Sequence, residues 1–233
     1  MARRKTGGRG RWRAAAALLL LTLLAAAYGW WWLHHWRPDR GAYPAQGAEV
    51  GAENGVVDWP ALKARGAGFV YLDASASAFA RDPAFTRNLE DARAAKLRVG
   101  AVHRYDPCQP GDRQAANFVT LVPRDAALLP PAVALSRLAV DCPVRVTDAA
   151  VQSELTIFLN QIETHTGKPA LMQLSAGFER RYAIAARFDR ELWLVRDLLQ
   201  PDYAGRPWAL WTANAALSAE VSEHPLRWVV ARR

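Results

Sequence analysis

The sequence has few residues of the types that bind metals, with only two cysteines and five histidines in 233 residues. Neither Cys108 nor Cys142 has another cysteine or histidine at ligand spacing, which argues against a zinc site. Ser136 and Ser175 have no neighbouring histidine and acid of the kind that activates a nucleophile. There is also no internal repeat, which argues against solenoid and propeller folds. We therefore expect no metal and no cofactor.

Acidic residues are absent from the amino-terminal segment. Residues 1–13 contain six lysines and arginines, and residues 14–33 follow without a charged side chain. About twenty apolar residues are enough to cross a bilayer core. Tryptophans such as Trp30–Trp32 favour the membrane boundary, and a basic flank stays in the cytoplasm. We therefore predict a basic cytoplasmic tail over 1–13 and a single transmembrane anchor over 14–33.

The prolines and glycines of residues 34–46 predict a linker, and residues 47–233 are long enough for one domain with its own core. This domain is expected on the periplasmic or extracellular side of the cytoplasmic membrane. A cleaved signal peptide is the alternative, because Ala25-Ala26-Ala27 fits a small-residue cleavage site.

The formal charge of +8 mostly reflects the tail. Outside residues 1–13, 24 of the 30 basic residues remain, against 22 acidic residues. The outer domain is therefore only mildly basic, and nucleic acid is not an expected partner. Cys108 and Cys142 both lie in this domain, where an oxidising compartment allows a disulfide. The sequence leaves their pairing open, because it does not give the distance between them.

The outer domain alternates between strand and helix patterns. Short apolar runs typical of strands occur at 68–72, 97–102, within 129–138, and at 170–174, 192–195 and 208–211. Helical patterns begin at Asp58 and cover 82–95, 114–122 and 147–166. Such alternation predicts an α/β fold with a parallel sheet, open or closed into a barrel.

Eight short motifs follow one another in a recognisable order. They are Gly47–Val50, Val57-Asp58-Trp59 with Phe69-Val70-Tyr71, Asp82–Asn88, Gly100–His103, Leu129-Pro130-Pro131, Phe158-Leu159 with Thr166–Pro169, Leu192–Arg196 and Trp208–Trp211. This order resembles the lysozymes of glycoside hydrolase family 25 over most of residues 47–215. The resemblance implies a flattened (β/α) TIM-like barrel and cleavage of peptidoglycan between its sugars.

The carboxylates of that family are mostly missing. The resembled family carries Asp-x-Glu where this sequence has Ala134-Leu135-Ser136, and another acid where it has Ala76. Its closing Val-Asp-x-Asn has no clear counterpart. Hydrolysis of a glycosidic bond needs a carboxylic acid and a second group that stabilises the cationic centre. Only Glu49 occupies an expected acidic position, and Asp73 is the neighbouring acid that could replace a lost one.

The candidate catalytic residues are therefore Glu49 and Asp73, with Asp106 as a further substitute acid. The resemblance and the predicted strand ends give six candidate substrate-binding residues: Tyr71, His103, Gln173, Trp193, Arg196 and Trp211. Tryptophans at these positions would stack on sugars or simply fill the core, and His103 would line the cleft or hold a structural hydrogen bond. Because such sites lie at the carboxyl ends of strands, we expect Glu49, Asp73, His103 and Ala134 on one rim.

Three functions fit these observations. The first is a membrane-anchored, lysozyme-like protein that binds peptidoglycan or another envelope glycan and has lost most or all hydrolysis. The second is an active muramidase with substituted acids, and the third is an envelope scaffold that binds no glycan. The missing Asp-x-Glu favours the first and third over the second, so whether the chain is an enzyme stays open. The sequence does not give the oligomeric state.

Overall fold

A computed structural model describes residues 8–232 and divides the chain into two compact units between Trp36 and Arg37. The first unit contains one helix, α1 (Gly8–His35). Its alanines and leucines are strong helix formers, and the rings of His34 and His35 each bond to a backbone carbonyl one turn earlier, at 2.8 Å.

The stretch Trp12–His35 of α1 is long and apolar enough to span a membrane, and a signal sequence near the amino terminus has the same properties. The first seven residues of the predicted basic tail lie outside the described residues.

The second unit alternates strands and helices in the predicted manner. Its first half contains β1 (Gln46–Val50), α2 (Trp59–Ala64), β2 (Ala67–Ala76), β3 (Ala80–Arg81), α3 (Phe85–Ala94), β4 (Arg98–Arg104), α4 (Gly111–Leu121) and β5 (Ala132–Leu135). Its second half contains α5 (Asp148–Thr166), β6 (Leu171–Ser175), α6 (Ala176–Tyr182), α7 (Ile184–Arg187), β7 (Leu192–Val195), β8 (Leu210–Leu217) and β9 (Leu226–Ala231). Short 3₁₀ helices cover Ala52–Asn54 and Ala139–Asp141.

Eight of the nine strands close into a barrel in the order β1-β9-β8-β7-β6-β5-β4-β2, because β2 also pairs with β1. The predicted α/β barrel is thus confirmed. All neighbours are parallel except β9, which runs antiparallel to β8 and β1. Strand β9 was not predicted, and β3 adds a short hairpin to the end of β2.

Local sequence signals explain two of the helix boundaries. Asp58 caps α2 by accepting the Ala61 N–H at 2.9 Å, and Pro60 lies in the first turn, where no N–H is needed. Thr147 caps α5 in the same way at 3.2 Å, and Gly167 ends that helix with a φ of 69°. These are the boundaries expected from the sequence.

The barrel interior is apolar towards the end where the parallel strands begin. Its inward side chains, which we call the apolar layer, are Phe69, Tyr71, Val102, Ala132, Ala134, Leu171, Trp193, Leu210 and Val229. Trp193 is completely buried, with its ring 5.0 Å from that of Tyr71 and its indole N–H donated to Thr212 Oγ1 at 2.8 Å. Gly100 makes room for Tyr71, because a Cβ there would lie 2.3 Å from the phenol ring.

The segment before β1 belongs to the barrel unit from Arg37 onward, so most of the predicted linker 34–46 is packed against the barrel. Gln46 donates to the carbonyls of Pro38 and Tyr43, both at 3.0 Å. The ring of Tyr43 lies 6.2 Å from that of Trp208. Proline and glycine content indicated a linker, but these contacts hold the segment in place.

Candidate active site

Charged side chains replace apolar ones at the carboxyl ends of the barrel strands. Side chains two positions apart on a strand share a face. The inward positions that follow Tyr71, Val102 and Leu171 towards the carboxyl ends of their strands are therefore Asp73, Arg104 and Gln173. From β6, Gln173 donates to Glu49 Oε2 on β1 at 2.6 Å, across the barrel. We call the charged residues Glu49, Asp73, Arg104 and Arg227, together with the uncharged Gln173 that contacts Glu49, the charged layer.

Glu49 contacts three members of this layer: Gln173, Arg227 and Arg104. Its side chain is only 1% exposed, and its second oxygen accepts from Arg227 Nη1 at 3.1 Å. Arg227 lies directly opposite Glu49 in the β1–β9 register, and Arg104 Nη2 approaches the same oxygen at 3.7 Å. Glu49 is therefore a buried carboxylate with two arginine neighbours.

Asp73 shares the same two arginines. Its Oδ2 lies 2.5 Å from Arg104 Nη2 and 3.6 Å from Arg227 Nη1, whereas its buried Oδ1 has no hydrogen-bond partner among the described residues. Burial, and then the charge of Glu49, raises the pKa of Asp73 to about 7, even though both arginines act to lower it. Asp73 thus combines a pKa close to neutral pH with a position inside an ion-pair network.

Glu53 extends this network towards solvent. Although burial acts to raise its pKa, a backbone hydrogen bond and the charges of Arg227 and Arg104 lower it overall. Its Oε1 accepts from Arg227 Nη2 at 3.0 Å and lies 3.4 Å from Arg104 Nη2. Two arginines therefore face three carboxyl groups at the barrel mouth.

A groove of about 170 Å³ opens beside this network, lined by Glu53, Asp73, Ser75, Ala76, Ala80, Arg81, Asp82 and Arg104. The ligand atoms of Glu53, Asp73 and Asp82 lie within 4.8 Å of one another. The arginines already balance the first two, and Asp82 accepts the backbone N–H groups of Ala52 and Ala84, both at 2.7 Å. Each of these three groups therefore has at least one protein donor, whereas Asp73 Oδ1 has none among the described residues.

Three residues stand at positions where the resemblance leads us to expect acids. Ala134 faces the apolar interior and is 5% exposed, Ser136 is exposed just beyond β5, and Ala76 lines the groove. These positions thus present the buried methyl group of Ala134, the solvent-exposed hydroxyl group of Ser136 and the methyl group of Ala76.

His103 does not reach the rim on which we expected it. It is completely buried on the outer side of β4, with its ring 4.6 Å from that of Phe158. Gln114 Oε1 accepts from its Nε2 at 3.2 Å, and Ser75 Oγ lies 2.8 Å from its Nδ1. Burial lowers the pKa of His103 to about 4. The alternation along β4 instead directs Val102 and Arg104 inward, so the four-residue rim prediction was wrong for His103.

The other candidate substrate-binding residues fall into two groups. Tyr71, Trp193 and Trp211 are at most 2% exposed, and Trp211 donates its indole N–H to the Arg196 carbonyl at 2.6 Å. Gln173 contacts Glu49, and Arg196 lies outside the charged layer, paired with Asp202 at 2.8 Å. The structure thus brings Glu49, Asp73 and Gln173 together and leaves the tryptophans in the core.

Sequence reasoning missed Arg104 and Arg227. Arg104 could have been found, because inward-facing Val102 and period-two alternation place it at the mouth. Arg227 lies on β9, whose apolar run has no family motif to mark it. Both arginines supply the positive charge next to Glu49 and Asp73.

Cys108 and Cys142 are joined by a disulfide, with Cα atoms 5.3 Å apart. The bond connects the loop after β4 to the loop after β5. Asp106, the substitute acid considered above, lies in the first of these loops and pairs with Arg137 at 2.7 Å. It is therefore engaged away from Glu49 and Asp73.

A closed eight-stranded α/β barrel with polar groups at the carboxyl ends of its strands is an architecture shared by many enzymes. The profile of glycosyl hydrolases family 25 matches residues 49–215. The chain belongs to this family. A search of curated proteins finds no match.

Solved structures give the same result. The barrel is similar to a family 25 glycosyl hydrolase from Bacillus anthracis, with 25% identity, a TM-score of 0.76, and coverage of 85% of this chain and 92% of that one. It is also similar to a bacterial lysozyme from Streptomyces coelicolor (19% identity, TM-score 0.72, 81% and 92% covered). A family 25 lysozyme from Aspergillus fumigatus has the same fold (19% identity, TM-score 0.69, 81% and 94% covered).

Proposed function

We propose that this chain is a membrane-anchored, peptidoglycan-binding member of family 25 whose hydrolytic activity is lost or strongly weakened. The family supports a function related to peptidoglycan. The observation that carries the proposal is the ion-pairing of both remaining interior carboxyl groups with Arg104 and Arg227.

The chemistry explains why this matters. A glycosidase needs one carboxyl group that protonates the leaving oxygen and another that stabilises or traps the cationic sugar. Glu49 is 1% exposed and already accepts from Gln173 and Arg227, so it presents no free oxygen to a sugar ring. Asp73 borders the groove together with Glu53 and Asp82, which accept from Arg227 and from the backbone N–H groups of Ala52 and Ala84. Because these two carboxylates are already engaged by protein donors, Asp73 has no dedicated partner that would stabilise the cation at full strength while it donates the proton.

One observation favours the alternative of an active muramidase. The raised pKa of Asp73, about 7, suits a general acid working near neutral pH. In that mechanism Asp73 would protonate the leaving oxygen, and Glu49 would act as the second carboxylate after Arg227 moved away.

Hydrolysis is tested by the release of reducing ends from purified peptidoglycan. We expect the wild-type chain to release no more than the Glu49→Gln and Asp73→Asn variants. Glu90→Gln, an exposed change on α3, is the matched control for loss of a carboxylate. Activity that falls in either site variant but persists in the control would establish the muramidase instead.

Glycan binding is tested separately by co-sedimentation with insoluble peptidoglycan. We expect retention of the wild-type chain and weaker retention after Arg81→Gln, because Arg81 lines the groove from the β2–β3 hairpin. The matched control is Arg87→Gln, an exposed arginine on the neighbouring helix α3. Absence of both turnover and retention would favour the scaffold function.

Anchoring is tested by membrane fractionation of cells that express the full chain. We expect the protein in the membrane fraction after a high-salt wash, because the apolar stretch Trp12–His35 is long enough to span. A soluble form that begins near Tyr28 would show that the helix is a cleaved signal sequence.

A further inference from the structure

Three arginines form a cluster where the barrel unit begins. Arg37 Nη1 and Arg40 Nη2 both donate to the backbone carbonyl of Arg65, at 3.3 and 2.6 Å. All three side chains are exposed. Two guanidinium groups are thus fixed on one carbonyl oxygen, next to a third arginine.

The positive charge of this cluster is only partly compensated. Arg65 pairs with Glu220 at 2.8 Å, but within residues 8–232 no carboxylate lies within 4.0 Å of Arg37 or Arg40. Burial, followed by the charges of Arg40 and Arg65, lowers the pKa of Arg37. The fold therefore holds like charges together, and a bound anion would relieve their repulsion.

The cluster lies at the end of the barrel opposite to the charged layer. Segment 37–45 precedes β1, and Arg65 precedes β2, so both mark the end where the parallel strands begin. Arg232 follows β9 at this same end, and its guanidinium lies 5.7 Å from the centre of the Trp208 ring. A groove of about 600 Å³ here is lined by Arg190, Arg206 and Arg232, together with Asp189 and Glu191.

We propose that Arg37, Arg40, Arg65 and Arg232 bind the phosphate groups of an anionic phospholipid surface. This inference rests on the membrane anchoring proposed above. Only Trp36 separates Arg37 from His35, the last residue of α1, and one residue of chain spans less than about 4 Å. When α1 spans the membrane, chain length alone keeps Arg37, and with it Arg40 and Arg65, near the headgroups.

The test uses residues 37–233, because this unit has its own closed sheet and core. Co-sedimentation is measured with vesicles of phosphatidylglycerol mixed with phosphatidylcholine and with vesicles of phosphatidylcholine alone. We expect binding only to the mixed vesicles, and release in high salt because salt screens exposed charges. Equal binding to both vesicles would overturn the proposal.

Two pairs of substitutions locate the binding surface. Arg37→Gln with Arg40→Gln should weaken vesicle binding about 30-fold, because each basic side chain near an anionic surface contributes about fivefold. The control is Arg113→Gln with Arg145→Gln, which removes the same charge from exposed positions at the opposite end. Thermal unfolding checks that both variants are folded. An equal loss in the control would show that only net charge matters, and would contradict a specific surface.

Further outcomes separate the sources of phosphate. Competition by millimolar inorganic phosphate at constant ionic strength would indicate a small-anion site and overturn the lipid surface. Arginine-dependent retention on wall material, with no vesicle binding, would assign the cluster to an anionic wall polymer. Since the tested unit lacks α1, a negative vesicle result leaves the fractionation test of anchoring unaffected, and a negative fractionation result leaves the vesicle test standing.

Discussion

The apolar layer and the charged layer of the barrel are built from the same strands, only two residues apart. In β2 the inward side chain changes from Tyr71 to Asp73, and in β4 from Val102 to Arg104. The apolar layer closes the barrel by burying large surfaces, among them Trp193. The charged layer instead fills the mouth with carboxyl, guanidinium and amide groups that form ion pairs and hydrogen bonds with one another. Only Asp73 Oδ1 in this layer is buried without a hydrogen-bond partner among the described residues.

The two layers place different demands on the side chains that form them. The apolar layer needs volume and shape, which family resemblance preserves at 25% identity or less. The charged layer needs particular functional groups at particular atoms, whereas a small apolar side chain such as that of Ala134 is enough to fill its place in the interior. Fold and activity therefore depend on different positions of the same strands.

The largest expected effect comes from breaking the apolar layer. Trp193→Ala should lower the free energy of unfolding by about 3–5 kcal/mol, because it leaves a cavity beside Tyr71 and removes the hydrogen bond to Thr212. Urea unfolding of the barrel unit measures this. Phe79→Ala is the control, because Phe79 is 74% exposed and its loss should cost less than about 0.5 kcal/mol. A loss below about 1 kcal/mol for Trp193→Ala would contradict the packing described for this layer.

A smaller effect is expected from unbalancing the charged layer. Arg227→Leu leaves Glu49 buried with less compensation, and should cost about 2 kcal/mol, less than a fully buried pair because Arg227 is 27% exposed. Adding Glu49→Gln to this variant should recover part of the loss, since the uncompensated charge is then removed. Urea unfolding of both single variants and the double variant gives the coupling. Additive losses would show that the two side chains do not interact.

The sequence was sufficient for most strands that carry the apolar layer, with β9 the exception, and it indicated Glu49, Asp73 and Gln173 of the charged layer but neither of its arginines. Apolar runs such as Phe69–Leu72 and Leu192–Val195 have the composition of buried strands, so the alternation of strands and helices could be predicted. The charged layer depends on which inward position meets which across the barrel. Glu49 and Arg227 are 178 residues apart in the chain, and neither residue type reveals the other. His103 shows the same limit, since one step along β4 moves a side chain to the other face.

The last prediction concerns the pH dependence of the charged layer. A carboxyl group whose pKa is raised by folding stabilises the folded state fully at pH values below its unfolded pKa, which is about 3.9 for aspartate. This stabilisation is lost as the pH rises through the folded pKa. For Asp73 that window ends near pH 7. Asp73→Asn cannot ionise, so its stability relative to wild type should rise between pH 4 and 7, by at most about 1.4 kcal/mol per pH unit.

The measurement is urea unfolding of both proteins at several pH values from 4.5 to 7.5. His103, whose pKa of about 4 stabilises the fold above its unfolded pKa and loses that effect as the pH falls, is present in both proteins and cancels in the difference. A relative stability that stays flat from pH 4.5 to 7.5 would mean that Arg104 keeps Asp73 ionised, with a pKa that folding does not raise. In that case Asp73 would hold no proton near neutral pH, and the muramidase alternative would lose its general acid. The expected rise would instead leave Asp73 able to donate a proton, so that Glu49, fixed by Gln173 and Arg227, limits the chemistry of the site.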